Sequence, residues 1–325
     1  ESRRLGFATM RVASAEPDLD MRGYDAFIAA GWHGEMEWLA AGRDLRAHVQ
    51  LLLPSVRSVA VFAFDYGSAL PPDPGGLTGR VASYAWGRDY HNLVLKRLQN
   101  LQRRVNEQYP GTRTYTCVDS RPVYERAWAA RAGLGFPGKN ACQIIPGERS
   151  TFFIAVLLLS VELEPDPPIA TFCGKCRRCI DVCPTQAIHE GGGIEATRCI
   201  SYLTIESDAP IPEAFRPAMG RWVFGCDDCQ DVCPHQHDRE DIHPDLLPKN
   251  AWINLVEVLA MSDDQHRDRF RGTPIRRAAG TRLRRNAAIV LGNIGDHAAV
   301  PALQAAASEG GVVKDAAEWA LGRLG

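Results

Sequence analysis

The sequence predicts an α+β protein in three consecutive parts: a mixed helix–strand region over residues 1–165, a cysteine-rich region over 166–250 and a helical region over 251–325. Three observations carry that division. Residues 1–165 alternate short, continuously apolar segments with longer segments of helical spacing, the mixture that builds an α/β layer. Eight of the ten cysteines fall between 173 and 233. Beyond 251 the strand signals fade and the chain repeats itself at an interval of 30 residues. With 325 residues and 45% hydrophobic composition, two or three domains can each bury a core.

In the first part, Tyr24 to Ala41 places apolar residues at helical spacing and is expected as a helix. Ser58 to Phe64 (SVAVFAF) is short and almost continuously apolar, as a strand covered on both faces should be. Pro71 to Gly76 (PPDPGG) is a loop. Tyr90 to Tyr109 reads as an amphipathic helix stopped by Pro110-Gly111, and Tyr115 to Val118 as a brief strand. Pro122 to Ala132 is expected as a helix, with proline in its first turn and Gly133 just past its end. Gly133 to Gly138 spells GxGxxG, but it follows a helix and contains Pro137, so it reads as a glycine-rich helix stop and not a dinucleotide loop. Phe152 to Val161, the longest apolar run, is a buried strand and too short to cross a bilayer. Pro165 to Pro168 is a linker.

The second part carries the chemistry. Cys173-x-x-Cys176-x-x-Cys179-x-x-x-Cys183-Pro184 is followed by Cys226-x-x-Cys229-x-x-x-Cys233-Pro234. Thiolates are soft ligands for iron, and closely spaced cysteines let several reach one cluster. In two-cluster ferredoxins the last cysteine of such a run ligates the other cluster. That rule assigns Cys173, Cys176, Cys179 and Cys233 to one 4Fe–4S cluster. Cys183, Cys226 and Cys229 go to the other, with Cys199 of TRCISYLTIE as the eighth ligand. The second run thus holds an insertion between Cys199 and Cys226. Structural zinc fits this spacing poorly. Disulfides belong with a secretory leader, and the opening residues ESRRLGFATM lack its apolar stretch. A ferredoxin-like domain in a reducing cytoplasm, with no membrane partner, is the reading. Its clusters are expected to staple a region with little room for a conventional core. Cys117 and Cys142 are left over as small buried hydrophobes.

The third part repeats AAIVLGNIG (287–295) as AEWALGRLG (317–325), with Leu291 and Gly292 in register with Leu321 and Gly322. Helical pairs of this kind resemble HEAT-type repeats, which stack into binding surfaces. Just before them, Gln265 to Arg285 holds eight arginines against one acid, Asp268. The overall net charge of −2 excludes bulk attraction to nucleic acid. A local arginine patch instead reads either as a phosphate contact or as a solvated helix face.

Together these segments resemble the epoxyqueuosine reductase family. The likeness runs through HGEMEWLA (33–40), GRDYH (87–91), Val118 to Arg126 (VDSRPVYER), Ala132 to Asn140 (AGLGFPGKN), both cysteine runs and RCISYLTIE. Two segments depart from the family pattern: Ser83 stands where arginine is usual, and AHVQLLLP follows Arg46. The resemblance implies a cobalamin-dependent enzyme that reduces epoxyqueuosine to queuosine at the wobble base of a tRNA anticodon stem-loop. An external single-electron donor feeds it, and it works as a monomer. It makes residues 1–165 the α/β domain that binds cobalamin and substrate, although a DxHxxG cobalamin motif is absent. It implies cofactor contacts at Arg46, Asp119, Lys139, Asn140, Gln143, Ser201, Asp227 and Asp228, and tRNA contacts at Arg282, Arg284 and Arg285.

Chemistry adds roles to this outline. Opening an epoxide makes an alkoxide, so an acid must stand close. Asp119 is the candidate, with a pKa raised by burial, while Ser120 takes the helix cap that either residue could form. Glu125-Arg126 is expected as an internal ion pair, with neither residue catalytic. Reversing the charges of Arg284 and Arg285 is expected to weaken tRNA binding in a salt-dependent way. Three other readings stay open, one of them a tRNA- or protein-binding scaffold whose clusters are merely structural. A reductive dehalogenase shares the corrinoid-plus-two-cluster plan but has no use for a repeat domain, and a plain two-cluster electron carrier would have neither corrinoid nor substrate pocket.

Overall fold

The run at 58–64 forms the strand Ser58–Asp65, buried along its whole length. A computed structural model describes residues 1–17, 19–237 and 242–325 of the chain. In it this strand lies inside a four-stranded sheet ordered Thr9–Ser14, Ser58–Asp65, Phe152–Leu159, Thr114–Cys117, with every neighbouring pair antiparallel. Side chains alternate across a strand. Ala60, Phe62 and Phe64 therefore pack with Leu93, Val94, Leu98 and Leu101 of the helix Tyr90–Gln108. Val59, Val61 and Ala63 pack on the opposite face with Trp128 and Ala129 of the helix Glu125–Arg131. Both faces are covered, which is why the pattern is continuous apolar and not alternating. Truncating Phe62 to alanine is expected to cost about 3–5 kcal/mol.

Two expected helices differ. The helix over 24–41 is broken into Arg22–Ala29 and Glu37–Ala41. Gly31 and Gly34 between them have φ of 68° and 56°, which ends the helix. A side chain at Gly34 would also strike the Tyr202 hydroxyl, which accepts the Glu35 N–H at 2.7 Å. The break is thus where the first part docks on the cysteine region. The helix expected from Pro122 begins only at Glu125, and Gly133, at φ 73°, follows its end as the sequence implied.

A second sheet takes one strand from each part. Thr78–Val81 lies in the middle, parallel to Trp222–Phe224 and antiparallel to Trp252–Asn254. One core then runs through Val81, Trp86, Leu203, Trp222 and Phe224 into Leu255, Phe270, Leu283, Leu291 and Leu303. This corrects the expectation of a cysteine region with little conventional core. Residues 200–224 bury their apolar side chains against the tail, and the three parts interlock beyond their sequence boundaries.

The tail is helical: Gly280–Ile294, Val300–Ala307 and Gly311–Leu324. Of the two repeated glycines, Gly292 is a point of close approach, since a Cβ there would lie 2.8 Å from Ala320. Gly322 faces open space. No helix among the described residues is long and apolar enough to cross a membrane.

Candidate active site

Where the strand Thr114–Cys117 ends, Val118, Asp119 and Ser120 close a γ-turn. The Ser120 N–H donates to the Val118 carbonyl at 2.5 Å, with Asp119 at φ 55°. A non-glycine residue in this region is strained by roughly 1–3 kcal/mol, and such strain collects at functional sites. Neither Asp119 nor Ser120 caps the following helix. Ser120 Oγ donates to the Val118 carbonyl instead.

The turn presents the Asp119 carboxylate to the start of the helix Tyr90–Gln108. The Tyr90 hydroxyl donates to Asp119 Oδ2 at 2.5 Å, and His91 Nε2 lies 2.8 Å from the same oxygen. His91 Nδ1 lies 2.7 Å from Asp89 Oδ1, and Asp89 caps the helix by accepting the His91 N–H. Burial pushes the imidazole down, but its bonds to Asp119 and Asp89 outweigh that and raise it above its ordinary value. Burial likewise pushes Asp119 up, yet His91 and Tyr90 hold the carboxylate below the usual range. The side chain keeps 56% of its surface, but that surface opens into a cavity walled by protein. The expected raised pKa of Asp119 is thereby reversed in sign: its hydrogen-bond donors win over its burial.

The cavity measures about 350 Å³ and is lined by Tyr66, Tyr90, Asp119, Glu125, Cys142, Gln143 and Gln230, among others. Gln143 spends its amide N–H on the Leu134 carbonyl, at 3.2 Å. Its Oε1 is buried and has no hydrogen-bond partner among the described residues. Such an acceptor costs about 1–3 kcal/mol unless a ligand satisfies it. Glu125 and Arg126 do not pair: Arg126 donates to the Ala141 carbonyl, and Glu125 accepts from the Cys117 thiol at 3.1 Å.

The thiols form two groups. Cys173, Cys176, Cys179 and Cys233 surround a small cavity of about 30 Å³. Burial raises the Cys179 thiol, with Cys173, Cys176 and Cys233 adding to the shift. In the other group, burial raises Cys199, with Cys183 adding. Burial raises Cys226, with Asp228 and Cys199 adding. Cys229 is raised first by its contact with Cys142, then by burial, then by Cys226 and Cys199. Among the described residues, no set of three or more His, Cys, Asp or Glu side chains forms a single-ion site.

Of the residues expected to touch a cofactor, Asp119 and Gln143 line the main cavity. The others lie outside it. Lys139 Nζ donates to the carbonyls of Gly174 and Cys176, both at 2.9 Å, bracing the first cysteine loop. The Asn140 amide donates to the Cys229 carbonyl at 3.3 Å. Asp227 accepts the Ser83 N–H, and Asp228 accepts the Trp222 indole N–H. Arg46 is buried beside Trp38, and Ser201 sits half-buried in the helix Ile200–Ile205. None of these last four is among the residues lining the cavity.

The arginines assigned to tRNA also need correction. Arg285 is fully buried and donates to the carbonyls of Leu203, Ser207 and Ala209. Arg282 is engaged by Asp208 and the Ile205 carbonyl, and Arg284 by Glu309 and the Leu259 carbonyl. Arg282 and Arg285 tie the tail to residues 203–209, Arg284 braces the tail internally, and none presents a free guanidinium. Arg276 and Arg277 of the same segment are exposed. The charge of Arg277 also acts on Asp119, Asp89 and Glu206, which places it on the cavity side of the molecule. Sequence reasoning missed Tyr90, His91 and Glu125 as site residues. The GRDYH segment was the signal for the first two.

Comparison with known proteins gives the family. A family model described as "Epoxyqueuosine reductase QueG, DUF1730" matches residues 46–120. A "4Fe-4S double cluster binding domain" matches 172–236, and a "PBS lyase HEAT-like repeat" matches 283–309. The epoxyqueuosine reductase of Xanthomonas campestris pv. campestris is 37% identical over 334 residues, covering 100% of this chain and 94% of the relative. That of Gloeobacter violaceus is 39% identical over 307 residues, covering 91% and 95%. A crystal structure of epoxyqueuosine reductase with an epoxyqueuosine-modified tRNA-Tyr stem loop superposes with a TM-score of 0.92 at 29% identity, covering 100% of this chain and 88% of that one.

Proposed function

Because this chain belongs to the epoxyqueuosine reductase family, we propose that it reduces epoxyqueuosine to queuosine at the wobble position of tRNA, in the 350 Å³ cavity beside Asp119. The observation that carries the reading is the carboxylate itself. It is held in a strained turn, gripped by Tyr90 and His91, and aimed into a cavity whose opposite wall, Cys142, contacts Cys229.

The chain carries a double 4Fe–4S cluster binding domain. Cys173, Cys176, Cys179 and Cys233 are the ligands of one cluster in this reading, and Cys183, Cys199, Cys226 and Cys229 of the other. The polar cavity wall fits cobalamin: the orphaned Gln143 Oε1 suits the N–H donors of corrin amide side chains, and Tyr66, Ser150 and Gln230 stand beside it. When bound, the clusters supply single electrons and the corrinoid a low-valent cobalt for cleaving carbon–oxygen bonds.

The chain's own residues handle substrate and protons. An anticodon-loop base is unpaired and enters a cavity at little unstacking cost. The epoxide oxygen gains negative charge as its ring opens. The His91–Asp119 pair meets it with a shared proton that Asp89 holds in line from behind. Tyr90 fixes the carboxylate orientation and stacks on Phe153 with ring centroids 3.9 Å apart, which excludes water from that side.

The test is turnover. Protein loaded anaerobically with iron, sulfide and cobalamin is given epoxyqueuosine-containing tRNA and a one-electron reductant, and the nucleosides are read by mass spectrometry. Wild-type protein converts epoxyqueuosine to queuosine, losing one oxygen. Asp119→Asn, which keeps the turn because asparagine tolerates positive φ, slows the reaction by about 10²–10⁴-fold. Equal rates for the two would remove Asp119 from the chemistry.

A further inference from the structure

Deoxygenating an epoxide consumes two electrons and two protons. Both carbon–oxygen bonds break, a carbon–carbon double bond forms, and the oxygen leaves as water. The electrons come from the external one-electron donor by way of the clusters. Asp119, held as a carboxylate, owns no proton itself, and the His91–Asp119 pair shares one. A second proton must be stored within reach.

We propose that Glu125 is that second store: a carboxylic acid in the cavity wall that reloads the His91–Asp119 pair after its first proton is spent. This rests on the reading of the cavity as a two-proton reduction site. Four observations support it. Glu125 lines the same cavity as Asp119. It accepts from the Cys117 thiol at 3.1 Å, two residues before Asp119, so it sits at the foot of the strained turn. It has no ion-pair partner among the described residues, because the adjacent Arg126 guanidinium turns to the Ala141 carbonyl. The groups facing it are Asp119 and Cys117 from the sheet edge, with Cys142 across the cavity. A confined carboxyl that meets a carboxylate and a thiol, while Arg126 of the same cavity spends its guanidinium on the Ala141 carbonyl, favours its neutral form. Accordingly burial, with the Asp119 charge adding, pushes Glu125 up to about 7. The Cys117 thiol, itself raised by burial, stays protonated and serves as a donor.

Glu125 acts through Asp119, so its test needs readouts that a merely structural role leaves unmoved. Isotope-edited infrared spectra of wild-type protein should show a protonated carboxyl that titrates near neutrality and is missing in Glu125→Gln. Glutamine still accepts the Cys117 donor, and the turn is closed by its own Ser120–Val118 bond. In turnover, wild-type rate should fall as pH rises through about 7, while Glu125→Gln should be slower by about 10²-fold with that limb gone. Its affinity for the tRNA stem-loop should be unchanged. Glu125→Asp should restore a limb, displaced in pH. The proposal is overturned if Glu125 is fully ionised across neutral pH, or if Glu125→Gln keeps the wild-type rate and limb. It is equally overturned if the aspartate variant shows no limb. Absence of turnover in wild-type protein would instead strike the reading beneath it, and the infrared titration would still report on Glu125.

Discussion

Arg285→Ala separates the two meanings of the arginine-rich segment. The side chain is fully buried and spends its donors on three backbone carbonyls, those of Leu203, Ser207 and Ala209, and on the Asn286 side chain. Truncation leaves three buried acceptors without their charged donor. At the lower end of about 1 kcal/mol each, that is about 3 kcal/mol. The hole left by a large buried side chain adds about 2 kcal/mol. The expected loss is therefore about 5 kcal/mol, a large share of an ordinary domain's stability. Urea unfolding followed by tryptophan fluorescence measures it as a fall in midpoint at unchanged slope. Arg285→Lys keeps the charge but not the planar fork, and should lose roughly half as much. Below the unfolding midpoint, tRNA affinity and its salt dependence should match wild type. An unchanged midpoint together with a weaker, flatter salt dependence of tRNA binding would refute the internal-strut assignment and restore a phosphate contact.

The exposed arginine predicts the opposite pattern: Arg277→Glu should leave the urea midpoint in place, weaken binding of the tRNA stem-loop and lower the salt slope by about 1. Cys233→Ser removes a ligand of the first thiol group, so iron content after anaerobic loading should drop by about half, whereas Cys142→Ser should retain full iron. Lys139→Met frees the carbonyls of Gly174 and Cys176, and iron should be lost faster in air than from wild type, read from the decay of cluster absorbance. The His91–Asp119 pair sets a pH window. Raised His91 contributes stability that is present below its ordinary 6.5 and lost as pH rises, and lowered Asp119 contributes stability that is present above its ordinary 3.8 and lost as pH falls. The stability gap between wild type and Asp119→Asn, measured by urea unfolding, should therefore be widest near about pH 5 and shrink toward both extremes.

The sequence made the strands and thiols legible because their rules are local. Ser58–Phe64 needs only its own apolar character to declare a two-faced burial, and ligand spacing falls within one turn of chain. The sheet that joins Thr78–Val81 to Trp222–Phe224 and Trp252–Asn254 was not legible, because its strands are short and lie far apart in sequence. The burial of Arg285 was hidden for the same reason: its acceptors are backbone carbonyls some eighty residues away, with no side-chain signature. Asp119 was found by its motif, yet the sign of its pKa was not. Burial could be anticipated from the segment, but Tyr90 and His91 arrive from a helix that precedes the turn by almost thirty residues. Lys139 and Asn140 line the small cavity among Cys173, Cys176, Cys179 and Cys233 and give their donors to cysteine-loop carbonyls, a pairing that adjacency in sequence does not spell out.

The interlocking of the three parts has a chemical consequence. In the proposed reaction protons reach the cavity from one wall, where Tyr90, Asp119 and Glu125 line it and His91 backs Asp119. Electrons in the proposed reaction reach it from the other, where Cys142 touches Cys229. Cys142 belongs to the first part and Cys229 to the second, so the distance between Asp119 and the second thiol group is set by whatever welds those parts together. That weld is the shared core that runs from Val81 through Phe224 to Leu291, and the arginines that tie the helix Gly280–Ile294 to residues 203–209. A tail that served only to grip tRNA could hang on a flexible linker. This one is packed into the wall that carries Cys226 and Cys229, so loosening it must move the thiols relative to Asp119. Arg285→Lys therefore offers a second reading of the same strut: turnover should fall more steeply than tRNA affinity, because the variant disturbs the spacing between electron and proton sources before it disturbs the grip on substrate.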